Sequence, residues 1–124
     1  MITVGQSFKQ YMLTLSQCSF DTLKLSDELI QYIILEEFII GSTSFFSKFT
    51  LDRLKNEGII DDNIYNKSSL LQGMVMNLDN SNLENIESIR SAFEWKDVLI
   101  LSEDIIKLIN NKWTKDEIEY LYTV

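Results

Sequence analysis

Apolar residues recur at helical spacing along most of this chain, and that spacing constrains its fold more than any other feature. The first segment carries four apolar residues at i, i+3, i+4 and i+7: Phe8, Tyr11, Met12 and Leu15. This order is typical of an amphipathic helix with one buried face. The same period returns in the later segments, so the pattern favours a helical protein.

Residues 29–40 form the most apolar segment, and they belong to a second predicted helix that begins at Ser26 and ends near residue 40. Ser26 is placed to cap its N-terminus, and Gly41 follows its last apolar residue, as glycine often does after a helix. Apolar side chains cover nearly the whole circumference of this helix. Helices of that kind usually lie at the centre of a bundle, so we expect it to be buried on all sides.

Capping signals predict the helices that follow. Thr50 is a candidate N-cap for a short helix ending near Gly58, and residues 64–78 have a helical pattern. Three further candidate N-caps lie beyond residue 80, and the first and last of them belong to capping boxes with Glu84 and Glu117: Ser81, Ser102 and Thr114. Four residues form the predicted buried face of the helix after Ser81: Leu83, Ile86, Ile89 and Phe93.

Two segments near the C-terminus are ambiguous between helix and strand. Residues 98–101 are an unbroken apolar run, and residues 119–124 fit either a last helical turn or a strand. We therefore expect an all-α fold, a single compact multi-helix domain of about six or seven helices over residues 1–124. A minor β element near the C-terminus is the alternative.

The composition of the chain excludes several kinds of catalytic and metal-binding site. It has no histidine and one cysteine, Cys18, which excludes a Ser–His or Cys–His pair and an imidazole metal ligand. It also lacks a Gly-rich phosphate loop and a nucleophile elbow. Asp79 begins a stretch that superficially resembles a calcium loop, but Leu83 and Arg90 occupy ligand positions. We expect no enzyme activity, no cofactor and no metal.

Glu36 and Glu37 interrupt the most apolar helix. Adjacent residues diverge by about 100° on a helix, so these two carboxylates cannot face each other as a catalytic pair. We expect them at the rim of the buried face; the alternative is a buried acid with a perturbed pKa.

The same segment is too short to span about 30 Å of hydrocarbon, and residues 1–5 do not resemble a secretory signal. A lone cysteine is also atypical of a small secreted domain. We expect a cytoplasmic protein that does not contact membranes.

Acidic side chains outnumber basic ones by 19 to 11, which gives a formal net charge of −8. Such a surface repels nucleic-acid phosphate. The densest basic stretch contains Lys48, Arg53 and Lys55, but Asp52 and Glu57 are interleaved with it. We therefore expect no direct binding to nucleic acid.

The acidic residues are concentrated after residue 78, where the sequence contains ten acidic and five basic side chains. In one continuous helix after Ser81, the residues Glu84, Glu87 and Glu94 lie along one stripe. We expect a docking surface for a basic protein partner, formed by nine residues: Glu84, Glu87, Glu94, Asp97, Glu103, Asp104, Asp116, Glu117 and Glu119. The alternative is a solvated face that keeps the domain soluble.

Five aromatic residues near the acidic segments are candidate anchors for such an interface, and each is equally a candidate core residue: Phe93, Trp95, Trp113, Tyr120 and Tyr122.

In size, acidity and lack of catalytic residues, the chain resembles bacterial immunity proteins, including those of contact-dependent growth inhibition and colicin-type systems. The resemblance rests on size and composition over the whole chain, so it assigns no residue a role. It implies stoichiometric inhibition of a basic toxin, commonly a nuclease, whose Lys and Arg side chains are occluded by carboxylates. Two alternatives are a nucleic-acid mimic that inhibits a host defence enzyme and a helical adaptor or regulatory subunit.

Overall fold

The computed structural model describes residues 2–124, so residue 1 of the predicted domain lies outside it. Within residues 2–124 there are seven helices and no strand. The helices are α1 (Val4–Gln17), α2 (Asp27–Phe45), α3 (Lys48–Asn56), α4 (Asp62–Leu78), α5 (Ile86–Ser91), α6 (Phe93–Lys112) and α7 (Lys115–Leu121). The prediction of an all-α fold is confirmed. Residues 98–101 lie inside α6, so the alternative of a β element there is wrong.

Several helix ends follow the predicted capping chemistry. Ser26 accepts a hydrogen bond from the Leu29 backbone N–H at the start of α2. Thr114 and Glu117 form the expected capping box of α7, with N···O distances of 2.9 and 3.2 Å. The start of α3 differs from the prediction. Ser47 is its N-cap, whereas the Thr50 hydroxyl donates to the Ser44 carbonyl.

The helix α2 departs from the prediction in both its length and its burial. It continues past Gly41 to Phe45, and its middle, Gln31–Phe38, is a π-helix. Its buried residues Ile30, Ile34, Phe38 and Ser42 recur every four positions, with Ile39 beside them, and the opposite side is in solvent. The expectation of burial on all sides is wrong. Three large apolar side chains of this helix are exposed: Leu29, Tyr32 and Ile40.

The segment after Ser81 does not form the single helix that its capping box predicts. The helix α5 begins later, capped by Asn85, whose side chain accepts from the Ser88 N–H. Extended backbone at Ala92, with ψ 135°, then separates α5 from α6. The helical phase restarts after this break. Phe93 is therefore 70% exposed and not part of the core, while Trp95 is fully buried.

The core lies among the four longest helices. The helix α1 packs on α2 and α6, and α4 packs on α2, α3 and α6. Tyr11 joins α1 to α4 because its hydroxyl lies 2.6 Å from the Ser68 hydroxyl, and burial raises its pKa. The C-terminus is held against the start of α1 by a hydrogen bond from the Gly5 N–H to the Val124 carbonyl. Ser102 lies buried in the middle of α6, so its predicted capping role is wrong.

Candidate protein-binding face

Three of the nine predicted acidic residues are used inside the fold. Glu84 accepts a hydrogen bond of 2.7 Å from the Asn80 backbone N–H and closes the turn after α4. Glu103 accepts one of 2.9 Å from the Phe20 N–H, which fastens the segment after α1 to α6. Glu117 caps α7. These carboxylates already have backbone donors as partners, so their first role is structural.

The predicted stripe of Glu84, Glu87 and Glu94 is wrong in its geometry. Glu84 precedes α5, Glu87 lies in its first turn, and Glu94 lies beyond the break at Ala92. Because the three residues belong to a turn and two separate helices, helical spacing does not align them.

The C-terminal acidic residues lie far from those at the start of α6. Asp116 and Glu119 are exposed on α7, which follows the last turn of α6. A helix of twenty residues, the length of α6, is about 30 Å long. The acidic residues are therefore distributed from the start of α6, through Glu103 and Asp104 in its middle, to α7 beyond its end.

One group of exposed residues follows a single line along α6. The four residues are spaced i, i+4, i+7 and i+11 and are all exposed: Phe93, Asp97, Ile100 and Asp104. This spacing places them on one side of the helix. We call these four residues the α6 face. It combines two large apolar side chains with two carboxylates.

A cleft of about 350 Å³ borders the α6 face. It lies between α4 and the start of α6, with Met74, Leu78 and Leu83 among its apolar lining residues. Glu94 and Asp97 also line it, so Asp97 belongs to both the cleft and the α6 face. The cleft offers an apolar pocket beside two carboxylates.

Local contacts hold the start of α6 in place. The Trp95 indole N–H donates to the Leu83 carbonyl at 2.8 Å and fixes the turn before α5 against α6. Arg90 donates to the Asp27 carboxylate at 2.8 Å and to the Leu23 carbonyl at 3.1 Å, which anchors α5 to the start of α2. Phe93 is therefore exposed on a segment that is held by hydrogen bonds to the rest of the protein.

The carboxylates of the α6 face have no cationic partner among the described residues. The four ion pairs within residues 2–124 join other side chains: Lys24 with Asp21, Lys48 with Asp52, Lys55 with Asp62, and Arg90 with Asp27. Asp97 and Asp104 thus take part in no ion pair, and the next exposed residue on the same line of α6, three positions beyond Asp104, is the cation Lys107.

The candidate aromatic anchors divide into two groups. Phe93 and Tyr120 are each 70% exposed. Trp95 is fully buried, and Trp113 and Tyr122 are partly buried and pack against the core. The Trp113 indole N–H donates to the Ile59 carbonyl at 2.9 Å, and the Tyr122 ring lies 5.5 Å from that of Phe8.

The basic stretch of α3 is engaged within the fold. Lys48 and Lys55 form the ion pairs named above, and Arg53 donates to the Ser7 hydroxyl and the Ile2 carbonyl. Cys18 is fully buried, and burial, together with the nearby Glu103 carboxylate, raises the pKa of its thiol. In the part of the chain that the structure describes, no group of three or more Asp, Glu or Cys side chains is arranged to hold a metal ion.

Sequence reasoning missed two features of this site. Ile100 lay in the ambiguous run 98–101, and the cleft residues Met74 and Leu78 lie on α4, about twenty positions upstream of Asp97. The i, i+4, i+7, i+11 spacing from Phe93 to Asp104 is present in the sequence. A helical phase counted from Leu83 does not reveal it, because the break at Ala92 separates the two helices.

None of the helices within residues 2–124 is by itself long and apolar enough to cross a membrane; α2 and α3 meet that criterion only when taken together, across a bend of 58°. Comparison with known protein families, with curated proteins and with solved structures finds no match to this chain.

Proposed function

We propose that this protein is a non-enzymatic inhibitor that binds a basic protein partner through the α6 face. In its most specific form, the proposal is that it is a cytoplasmic immunity protein that neutralises a toxin, with a nuclease as the expected toxin class. Inhibition would be stoichiometric, and no cofactor or metal would take part.

One observation carries this proposal: Phe93 and Ile100 are exposed on the same line of α6 as Asp97 and Asp104. Exposed aromatic and aliphatic side chains cost hydration free energy unless a partner covers them. Unpaired carboxylates beside them attract a partner of opposite charge and reject acidic ones. The α6 face therefore fits an interface with an apolar centre and a basic rim.

The proposed mechanism is occlusion. A nuclease holds phosphate with Lys and Arg side chains, and those same side chains would pair with Asp97 and Asp104. Phe93 would insert into an apolar pocket of the partner and account for much of the affinity, as buried aromatic anchors do. The negative charge of the whole protein, −8, would speed the encounter at low salt.

The division of the acidic residues favours this mechanism over nucleic-acid mimicry. A mimic needs an extended row of carboxylates spaced like phosphates. Here Glu84, Glu103 and Glu117 bind backbone N–H groups of their own chain, which interrupts such a row.

Charge reversal on the α6 face tests the proposal. The double variant Asp97→Lys/Asp104→Lys should lose a basic partner that the unchanged protein captures at low salt, because it replaces attraction with repulsion. We expect affinity to fall by more than about tenfold and the remaining binding to depend less on salt. The measurement is quantitative capture from cells that encode the protein, followed by titration calorimetry with the purified partner.

The matched control is Asp116→Lys/Glu119→Lys, which makes the same charge change on α7. It should retain the partner, and both variants should keep the helical circular dichroism of the parent. Equal losses in the two variants would assign binding to net charge and not to the α6 face. Full retention by the Asp97→Lys/Asp104→Lys variant would contradict the proposal.

A further inference from the structure

A second exposed apolar surface lies between α1 and α2, neither of which contributes to the α6 face. It is a groove of about 380 Å³. Its apolar lining consists of Leu13 from α1 and of Tyr32, Ile40 and Phe45 from α2. Leu13, Tyr32 and Ile40 are each about half exposed or more, and Ile40 reaches 67%. This surface is the clearest departure of the fold from the expectation that α2 is buried all round.

The shape of the groove follows from the packing of the two helices. At Gly41 the α2 backbone lies against the Thr14 side chain of α1, so that an added Cβ would lie only 2.7 Å from the Thr14 hydroxyl. On the solvent side of this contact the helices leave a channel. Tyr32 and Phe45 are thirteen residues apart along α2, which corresponds to about 15–20 Å. The channel is therefore long enough for about three turns of a docked helix.

Two carboxylates line the same groove, those of Glu36 and Glu37. Neither takes part in any ion pair within residues 2–124. The Gln17 side-chain amide donates to the Glu37 carboxylate at 3.2 Å. This neutral donor orients the carboxylate and leaves its negative charge uncompensated.

The π-helical segment Gln31–Phe38 brings an apolar ring to the same place. Hydrogen bonds in a π-helix run between residues five apart. Tyr32 and Glu37 have this spacing, and a hydrogen bond to Glu37 is the largest cause of the raised pKa of the Tyr32 hydroxyl. The irregular helix thus sets a phenol and a carboxylate side by side at one end of an apolar channel. Such irregular turns are frequent at functional sites.

We infer that the α1–α2 groove is a docking site for a basic amphipathic helix of a partner protein. The apolar stripe of that helix packs on Leu13, Ile40 and Phe45. Lys or Arg side chains beside the stripe pair with Glu36 and Glu37. The occupant must carry positive charge, because an acidic segment would be repelled by the same two carboxylates. This site is independent of the α6 face and does not require the proposed inhibitory function.

The probe for the test is a synthetic, fluorescently labelled peptide of about 14 residues, built from Leu at i, i+3, i+4 and i+7 and Lys elsewhere. A peptide of the same composition, shuffled so that Leu residues no longer share one face, is the control. We expect the amphipathic peptide to bind more tightly by about tenfold or more in fluorescence polarisation. Amide shifts in nuclear magnetic resonance spectra should cluster on Gln10, Leu13 and Ile40.

Variants separate the groove from general attraction to an acidic protein. Ile40→Ser should weaken peptide binding by about tenfold, whereas Phe49→Ser, which replaces a residue 63% exposed outside the groove, should leave it unchanged. Glu36→Gln/Glu37→Gln should weaken binding and reduce its salt dependence. All four side chains face solvent at least in part, so the variants should fold, as circular dichroism will show.

Four outcomes would overturn the inference. Equal binding of the shuffled and the amphipathic peptide would show that charge alone acts. Equal effects of Ile40→Ser and Phe49→Ser, or amide shifts confined to the α6 face, would place the binding elsewhere. A parent protein that sediments as a dimer and becomes monomeric with Ile40→Ser would show that a second copy of the chain covers the groove.

Discussion

Buried hydroxyl groups illustrate, at the scale of single residues, how this fold treats polar atoms. Ser42 donates to the Phe38 carbonyl at 2.7 Å, and Ser68 lies 2.6 Å from the Tyr11 hydroxyl. Ser102 is equally buried, yet in the described part of the chain its Oγ is the one buried side-chain N or O atom with no hydrogen-bond partner. An unsatisfied buried hydroxyl costs about 1–3 kcal/mol.

We therefore expect Ser102→Ala to raise the free energy of unfolding by about 1 kcal/mol, because it removes the unsatisfied atom and improves helix propensity. The matched variant Ser42→Ala should lower it by about 1 kcal/mol, since a formed hydrogen bond is lost. Urea denaturation of both variants measures the difference. A loss of stability in Ser102→Ala as large as in Ser42→Ala would show that the Ser102 hydroxyl has a partner.

Asp52 carries a pH-dependent contribution to stability. Hydrogen bonds from Lys48 and then from Tyr65 hold the pKa of its carboxyl below its ordinary value. A carboxyl whose pKa is lowered in the folded state stabilises that state above its unfolded pKa, and the contribution is lost as the pH falls through the folded pKa. The side chains of Lys48 and Asp52 are 83% and 41% exposed, so the contribution of this ion pair to stability is small.

Asp52→Asn should accordingly be less stable than the parent at pH 7, and the difference should vanish in strongly acidic solution. Tyr65→Phe should show a smaller change of the same sign, since only one donor is lost. Unfolding curves at a series of pH values measure both. A difference between Asp52→Asn and the parent that persists unchanged below the ordinary range of aspartate, about pH 4, would contradict this assignment.

At the scale of helices, capping chemistry was predictable in part. Only two of the five predicted N-caps are confirmed, Ser26 and Thr114 with Glu117, and these depend only on residues three apart. The other three, Thr50, Ser81 and Ser102, do not cap a helix, because the helices begin at other residues. The break at Ala92 has no such local signal. It follows from the packing of Trp95 and the anchoring of Arg90, which involve residues distant in sequence. The same holds for the continuation of α2 past Gly41, which depends on contact with α1.

Replacing two helical glycines by alanine should change the stability of the protein in opposite directions. A Cβ at Gly73 meets nothing within 4 Å, so Gly73→Ala should stabilise the protein by about 0.5–1 kcal/mol through helix propensity. At Gly41 a Cβ would lie 2.7 Å from the hydroxyl of Thr14, which is itself buried and bonded to the Gln10 carbonyl. Gly41→Ala should therefore destabilise the protein by about 1–3 kcal/mol.

Thermal and urea unfolding of the two glycine variants provide the comparison. In the double variant Gly41→Ala/Thr14→Ala, much of the loss from Gly41→Ala should be recovered, because the clashing hydroxyl and methyl are gone. If Gly41→Ala stabilises the protein as much as Gly73→Ala does, α1 and α2 do not approach each other as described.

At the scale of the whole molecule, the helical spacing of apolar residues predicts the helical class, and composition predicts an acidic protein but not the layout of its acidic surface. The excess of acidic residues after residue 78 is visible in the sequence. Their separation along α6, and the use of Glu84 and Glu103 as backbone acceptors, depend on the tertiary arrangement. The exposure of Phe93 likewise follows from the break at Ala92, so the α6 face was only partly predictable.

Photo-crosslinking from the α6 face tests the proposed function most directly. A benzoylphenylalanine is placed at position 93 in one sample and at position 120 in another, and each is irradiated in cells that encode the protein. Phe93 and Tyr120 are both 70% exposed, so they have matched access to solvent. We predict that position 93 crosslinks to one basic protein in stoichiometric yield and that position 120 does not. Crosslinking of that protein from position 120 alone, or of none from position 93, would contradict the assignment of binding to the α6 face.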